Sequence, residues 1–197
     1  YLTSPTERIT THAADNPILE FFNTVDKAVV KMYNEAGLYC IVVCTEDNYS
    51  YLRKVADKPE IYQGYTDIDY NNTKPHQIVK RTWEVVKCIQ VARRTEAINE
   101  AKESISEGKL ITDLQEIYQE SLDGRGDTLI VYEDFVQPVV MTDARDFEYA
   151  KNSNEPDAID DITSDIAWEV LSKKGKVFFT KQEEIKELGD IALKVRY

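Results

Sequence analysis

Glycine is scarce in this sequence, and its scarcity excludes several catalytic loops. Only seven of the 197 residues are glycine, and no two of them are adjacent. Gly124-Arg125-Gly126 lacks the third glycine and the strand-to-helix setting of a dinucleotide-binding fingerprint, and no Gly-Lys-Ser/Thr of a P-loop occurs. The sequence therefore predicts no cofactor, and we interpret Gly124–Gly126 as a tight turn before a strand.

Histidine is scarcer still. The two histidines, His12 and His76, lie far apart in the sequence, and neither has a Cys or His partner at metal-ligand spacing. A nucleophilic triad needs a positioned histidine beside Ser or Cys, and the sequence has no Gly-x-Ser-x-Gly elbow. We therefore predict no catalytic residue and no metal site, and expect the protein not to be an enzyme.

Cysteines and long apolar runs are also few. Cys40 and Cys44 flank an apolar run, and residues four apart in a strand lie about 13 Å apart, too far for a disulfide. With Cys88 the count is odd, which favours buried, reduced thiols and a cytoplasmic location. No apolar run approaches the ~20 residues that span a bilayer, so no membrane contact is expected. A start at Tyr1 rather than Met is typical of a fragment or a processed chain.

Basic residues are outnumbered, mainly in the second half of the chain. The formal net charge is −12. Residues 1–108 contain 13 Lys and Arg against 16 Asp and Glu, whereas residues 109–197 contain 11 against 20. Eight of those acidic residues fall within Asp143–Asp165. Such a surface repels nucleic acid, which excludes a general polyanion-binding protein.

The first half of the chain has the pattern of an α/β unit. Residues 1–16 are polar and are predicted to form a loop or an arm. Apolar residues at helical spacing predict a helix over 18–33, and residues 38–44 have the composition of a buried strand. A short helix is predicted over 46–55 and turns over 58–73. One clear strand cannot complete a sheet, so the missing strands are expected upstream of the first residue.

A long helix is predicted from about Pro75 to residue 107. Its apolar seam follows helical spacing, at Ile78, Thr82, Val85, Ile89 and Ala92, then, after a phase shift, Ile98, Ala101 and Ile105. The elements after it are helix, strand, strand, helix, strand, short helix and strand, at 110–122, 128–132, 135–141, 158–172, 177–179, 182–188 and 191–197. This order makes an α/β/α sandwich. We predict an α/β fold of two lobes, 1–107 and 108–197, joined by the long helix.

One basic segment stands out, residues 74–94, in which Glu84 is the single acid. Its basic residues are the candidate RNA contacts: Lys74, Lys80, Arg81, Lys87, Arg93 and Arg94. Lys80, Lys87 and Arg94 are spaced seven apart, so they share one helical face, roughly 200° from the seam. Two interpretations stay open, a cationic surface for RNA phosphates and an ordinary solvated face.

An acidic cluster supports a different function. Asp157, Asp160 and Asp161 are candidate contacts for a basic protein partner. With Asp165 they could also hold Mg²⁺ or Ca²⁺ on one helical face, but acids in a first helical turn equally favour the helix dipole, which we prefer. An acidic protein-interaction module without RNA contact is therefore an alternative hypothesis.

Several segments together resemble the bacterial branch of the archaeal–eukaryotic release factor and Pelota superfamily. Phe21-Phe22-Asn23-Thr24-Val25-Asp26 is similar to its Phe-Phe-x-x-Val-Asp helix, and 38–54 is similar to its following strand and helix. At the other end, Gly189, Ala192, Arg196 and Tyr197 keep the order of its closing strand. The resemblance covers most of the chain, from about Phe21 to Tyr197.

The resemblance implies a fold and a cellular role. It implies a partial middle domain of RNase H-like topology, with the linking helix, followed by an L7Ae/L30e-like domain. It also implies a role at the ribosome or with tRNA, in termination, rescue or hibernation. The Gly-Gly-Gln tripeptide that release factors use for hydrolysis is absent, so binding without hydrolysis is expected. A third, weaker hypothesis is a metal-dependent nuclease that uses Glu46 and Asp47 after the first strand.

Overall fold

The structure, a computed structural model, describes residues 5–69, 72–152 and 154–197. The chain divides into two compact units, Tyr1–Gln90 and Val91–Tyr197. The boundary lies inside the long helix, because the carboxyl part of that helix packs in the second unit, whereas the sequence pattern places the boundary at 107/108. Among the described residues, no helix is long and apolar enough to cross a membrane.

The first unit is built around a parallel pair of strands. Its elements are α1 (Pro5–Ala36), β1 (Cys40–Val43), α2 (Glu46–Val55), a 3-10 turn (Pro59–Ile61), β2 (Tyr62–Thr66) and the first part of α3 (Pro75–Ser104). β1 pairs with β2 in parallel, with α2 on the connection between them. Helix α2 begins at the cap Thr45, whose hydroxyl accepts from the Asn48 N–H at 3.5 Å. The four residues of β1 are only half-buried, not fully buried as predicted.

Two predictions for this unit are wrong. Helix α1 begins at Pro5, not near residue 18, although residues 1–4 of the predicted arm lie outside the described residues. Proline is well tolerated at a first helical position, which suits a start at Pro5, and α1 continues through Pro17. The strand β2 occupies part of the stretch predicted as turns. Its central glycine, Gly64, obscured the strand pattern.

The second unit contains a mixed four-stranded sheet. In chain order its strands are β3 (Leu110–Ile111), β4 (Gly126–Tyr132), β8 (Lys176–Thr180) and β9 (Ile191–Val195). The spatial order is β3-β9-β4-β8, so the last strand lies inside the sheet, antiparallel to both neighbours. Strands β4 and β8 are parallel.

Alternation along the central strands gives this sheet a core on each face. Leu129 and Val131 of β4 face α4 (Leu114–Leu122) and α5 (Ile162–Ser172). Ile130 faces the other way, onto Ile98 and Ala101 of α3. Successive side chains of a strand point to opposite faces, so the sheet is sandwiched between helices, as predicted.

Short strands replace the ends of predicted helices and part of a predicted loop. The helix predicted from residue 110 begins at Leu114 after its cap Asp113, and Leu110–Ile111 pair with β9 instead. A three-stranded antiparallel sheet lies beside the core, in the order β6-β5-β7. Its members are β5 (Val139–Met141), β6 (Phe147–Tyr149) and β7 (Ala158–Ile159). The predicted short helix after β8 is a 3-10 helix, Glu183–Glu187.

Candidate nucleic-acid interface

In the first unit, a glycine lets the inner face of α3 pack closely on the sheet. A Cβ placed on Gly64 of β2 would lie 3.2 Å from Val85 Cγ1 and 3.7 Å from Ile89 Cδ1. The helix can approach the strand this closely because the glycine has no side chain. Val85 and Ile89 belong to the predicted seam, so the seam faces the sheet. Ala92, predicted to continue it, is exposed.

The opposite side of α3, which we call the outer face, carries the basic residues. Lys80 and Lys87 are exposed, and Lys87 Nζ lies 3.0 Å from Glu84 Oε1. Both partners of that ion pair are solvated, so it contributes little to stability, and the ammonium is available to another anion. Arg94, on the same line, is half-buried and belongs to the second unit.

The remaining basic candidates are spread around the helix. Arg81 is exposed on another side of α3, and Lys74 precedes the helix. A concave surface adjoins Lys80 and Arg81, and polar groups complete its lining: Asn72, Thr73, Gln77 and Glu84. Arg93 is exposed but lies about 120° from Lys87 around the helix. Among the candidates in the first unit, Lys80 and Lys87 are therefore the two that lie together on the outer face.

A tryptophan that the sequence analysis did not consider also lies on the outer face, between Lys80 and Lys87 along the helix axis. Trp83 is three residues after Lys80 and four before Lys87, so both lysines lie within about 60° of it around the helix. It leaves 52% of its surface exposed, although tryptophan is generally well covered. Val79, one turn earlier, is also exposed. Its position away from the seam could be predicted from the sequence, because Trp83 falls between seam positions.

The acidic candidates do not form one site. Asp161 is the N-cap of α5: its carboxylate accepts from the Thr163 N–H at 3.0 Å and from the Gln137 N–H at 3.3 Å. Asp157 and Asp160 are exposed. Asp161 therefore has a structural task, whereas the other two are free to act as surface charges.

Replacing Asp161 with alanine should lower the stability of the second unit by about 1–2 kcal/mol, since an N-cap is lost together with a partner for the Gln137 N–H. Urea unfolding read from the fluorescence of Trp168 on α5 would measure it. Asp160→Ala, one position away and exposed, should stay within about 0.5 kcal/mol of the parent. Equal stability of the two variants would contradict the capping role.

The nuclease hypothesis rests on two acids at the carboxyl edge of the small sheet. Glu46 and Asp47 follow β1 as predicted and are exposed in the first turn of α2. In the part of the chain that the structure describes, no three His, Cys, Asp or Glu side chains are grouped to hold a metal ion. Burial raises the pKa of Cys40 and Cys44, which favours their thiol forms, and Cys88 is exposed rather than buried as predicted.

Two of the motif residues, Asp26 and Arg196, make structural contacts. Asp26 is fully buried: its carboxylate accepts from the Tyr62 hydroxyl at 2.7 Å and from the Asp57 N–H at 2.9 Å. Burial and the bond to Asp26 hold the pKa of Tyr62 above its usual value, so the phenol remains a donor. In the second unit, the Arg196 guanidinium donates to the Gly124 carbonyl at 3.1 Å and to the Lys173 carbonyl at 2.8 Å.

The sequence matches one protein family. The model of bacterial archaeo-eukaryotic release factor family 3 matches residues 2–125, which includes α3 and its outer face. This confirms the resemblance noted from the motifs. No curated protein matches the chain.

Among the solved structures that resemble this chain, a Pelota structure shares the fold with a TM-score above 0.5. Ribosome-bound archaeal Pelota, in a model with ABCE1, is 20% identical, with a TM-score of 0.53 over 90% of this chain and 49% of that one. Archaeoglobus fulgidus Pelota is 19% identical, with a TM-score of 0.44 over 90% and 54%. The C-terminal domain of the Methanosarcina mazei peptide chain release factor is 16% identical, with a TM-score of 0.48 over 64% and 97%. This chain therefore spans about half the length of the Pelota chains.

Proposed function

This chain belongs to bacterial archaeo-eukaryotic release factor family 3, and on that basis we propose that it is a non-catalytic factor that binds the ribosome or tRNA through the outer face of α3. The observation that carries the proposal is the exposed pair Lys80 and Lys87, opposite the face that packs on Gly64. In a chain of net charge −12, this pair keeps a local cationic surface. Phosphate groups are the ligands that such a surface attracts.

The domain assignment is part of the same proposal. We assign residues 1–107 to part of a release-factor middle domain of RNase H-like topology, and residues 108–197 to an L7Ae/L30e-like domain. The parallel βαβ arrangement of β1, α2 and β2 supports the first assignment, and the α/β/α layers of the second unit support the other. Archaeal Pelota, whose fold is similar, was captured on a ribosome, which supports a ribosomal ligand here.

The composition of the chain supports binding without hydrolysis. The chain has no adjacent glycines, so it lacks the Gly-Gly-Gln on which release factors depend. We therefore propose a role among termination, rescue and hibernation that uses occupancy of the ribosome rather than cleavage of the peptidyl ester. A cytoplasmic location is part of this proposal.

The test is co-sedimentation with purified ribosomes at increasing salt. If the lysines contact phosphates, affinity should fall as salt rises. Binding releases the counterions condensed on the RNA, and this release becomes less favourable at high salt. A variant with Asp157→Asn and Asp160→Asn should bind as the parent does. Loss of binding in that variant, with no salt dependence in the parent, would favour the acidic protein-interaction module instead.

A further inference from the structure

We infer that the outer face of α3 recognises unpaired RNA, with Trp83 stacking on a base while Lys80 and Lys87 hold the flanking phosphates; this rests on the proposed function and specifies its ligand. The three side chains occupy consecutive turns on one side of a helix, with the aromatic ring between the two charges. Aromatic rings between cationic side chains are typical of single-stranded nucleic-acid sites.

The exposure of Trp83 is the first step of the argument. An indole that remains 52% exposed leaves apolar surface in water, and covering that surface is favourable. The apolar packing of α3 on the sheet is provided by Val85 and Ile89 on the other side, so Trp83 is not needed there. The exposed half of this aromatic side chain can accept a base.

The charges beside the ring select among possible ligands. Lys80 and Lys87 offer ammonium groups on both sides of Trp83, and Glu84 is the one acid in that part of the helix. An apolar protein partner would cover both charges without offering them an acceptor, and an acidic protein would not use the ring face. A duplex presents phosphates but keeps its bases stacked, so it would contact the lysines alone. An unpaired nucleotide satisfies both features.

Trp168 provides a matched control. It is the other tryptophan of the chain, 71% exposed, on helix α5 of the second unit. The acids Asp165 and Glu169 lie within one turn of it, so RNA should be repelled there. Replacing each tryptophan separately removes the same indole from a basic and an acidic setting.

The experiment measures binding of a 12-nucleotide single-stranded RNA and of an RNA duplex of equal length. Trp83→Ala should weaken single-strand binding about tenfold, the loss expected for one base stack, and leave duplex binding nearly unchanged. Trp83→Phe should keep most of the affinity, and Trp168→Ala all of it. In Trp168→Phe, where Trp83 is the remaining indole, the single strand should quench the fluorescence.

Several outcomes would overturn the inference. They are absence of single-strand binding by the parent, unchanged affinity in Trp83→Ala, and equal losses for single strand and duplex. Ribosome co-sedimentation keeps this result separate from the proposed function. If a Lys80→Glu/Lys87→Glu variant loses ribosomes while Trp83→Ala retains both ribosomes and oligonucleotide, the stacking inference fails and the ribosomal role stands. If neither variant affects ribosome binding, both fail.

Discussion

Reversing two charges, Lys80→Glu with Lys87→Glu, should lower affinity for ribosomes at least about tenfold at moderate salt. Each lysine that contacts a phosphate contributes roughly 0.7–0.9 to the slope of log affinity against log salt. The double variant should therefore show both a weaker affinity and a shallower slope. Replacement by glutamate also adds repulsion, so the loss should exceed that of the corresponding double alanine variant.

The control for this experiment lies on another helix of the same unit. Lys27 and Lys31 of α1 are exposed and separated by one helical turn. Their joint replacement by glutamate changes the net charge by the same amount as the reversal on α3. If long-range repulsion alone governed binding, the two double variants would lose affinity equally, and the outer face would have no special role. A loss confined to the α3 variant supports direct contact.

Asp26→Ala should reduce the stability of the first unit by about 2–5 kcal/mol. The substitution leaves two donors without an acceptor, the buried Tyr62 hydroxyl and the partly buried Asp57 N–H, and an unsatisfied buried group costs about 1–3 kcal/mol. Urea unfolding followed by Trp83 fluorescence in a Trp168→Phe background would report on this unit. Glu20→Ala, an exposed acid on the same helix, should change the stability by less than about 0.5 kcal/mol.

Two companion variants would separate the contributions to this site. Asp26→Asn keeps the shape and one acceptor oxygen, so its loss should be smaller. Tyr62→Phe removes one donor, and its combination with Asp26→Ala should be less than additive because the two groups share a bond. If Asp26→Ala equals Glu20→Ala, the buried carboxylate does not anchor α1.

The Tyr62 hydroxyl also makes a pH dependence expected. The pKa of this phenol is raised on folding, so its contribution to stability is complete below the unfolded-state value of about 10 and is lost as the pH rises further. Tyr62→Phe should therefore show less loss of stability above that pH than the parent.

The sequence predicted the elements that follow a clear hydrophobic period. The seam residues Val85 and Ile89 do face a sheet, and Ile98 and Ala101 are buried, because helical periodicity directly reflects which face meets the core. The sequence did not predict strand β2, because it contains Gly64, a residue that is unfavourable in strands. The glycine is required there because Val85 of α3 packs against it. A single sequence does not reveal such a partner.

Two other differences between prediction and structure could have been anticipated from helix-capping patterns in the sequence. Asp113 and Glu116 are spaced as a capping box, which places the start of α4 after Leu110–Ile111 rather than at them. Asp161 precedes the apolar period of α5, the ordinary position of an N-cap, yet it was grouped with its acidic neighbours. The place of Trp83 between two lysines could also be read from spacing. Its exposure could not, since that depends on which face the sheet covers.

The position of β9 has a consequence for how the second unit is made. During synthesis the ribosome delivers β3, β4 and β8 before β9, yet β9 is the strand that joins β3 to β4. Until residues 191–195 emerge, Leu129 and Ile130 of β4 lack one of their neighbouring strands, and the sheet is divided. Domains usually fold as units during synthesis, so this unit must wait for its closing segment. A nascent chain stalled before Ile191 would expose a strand edge prone to pairing with other chains.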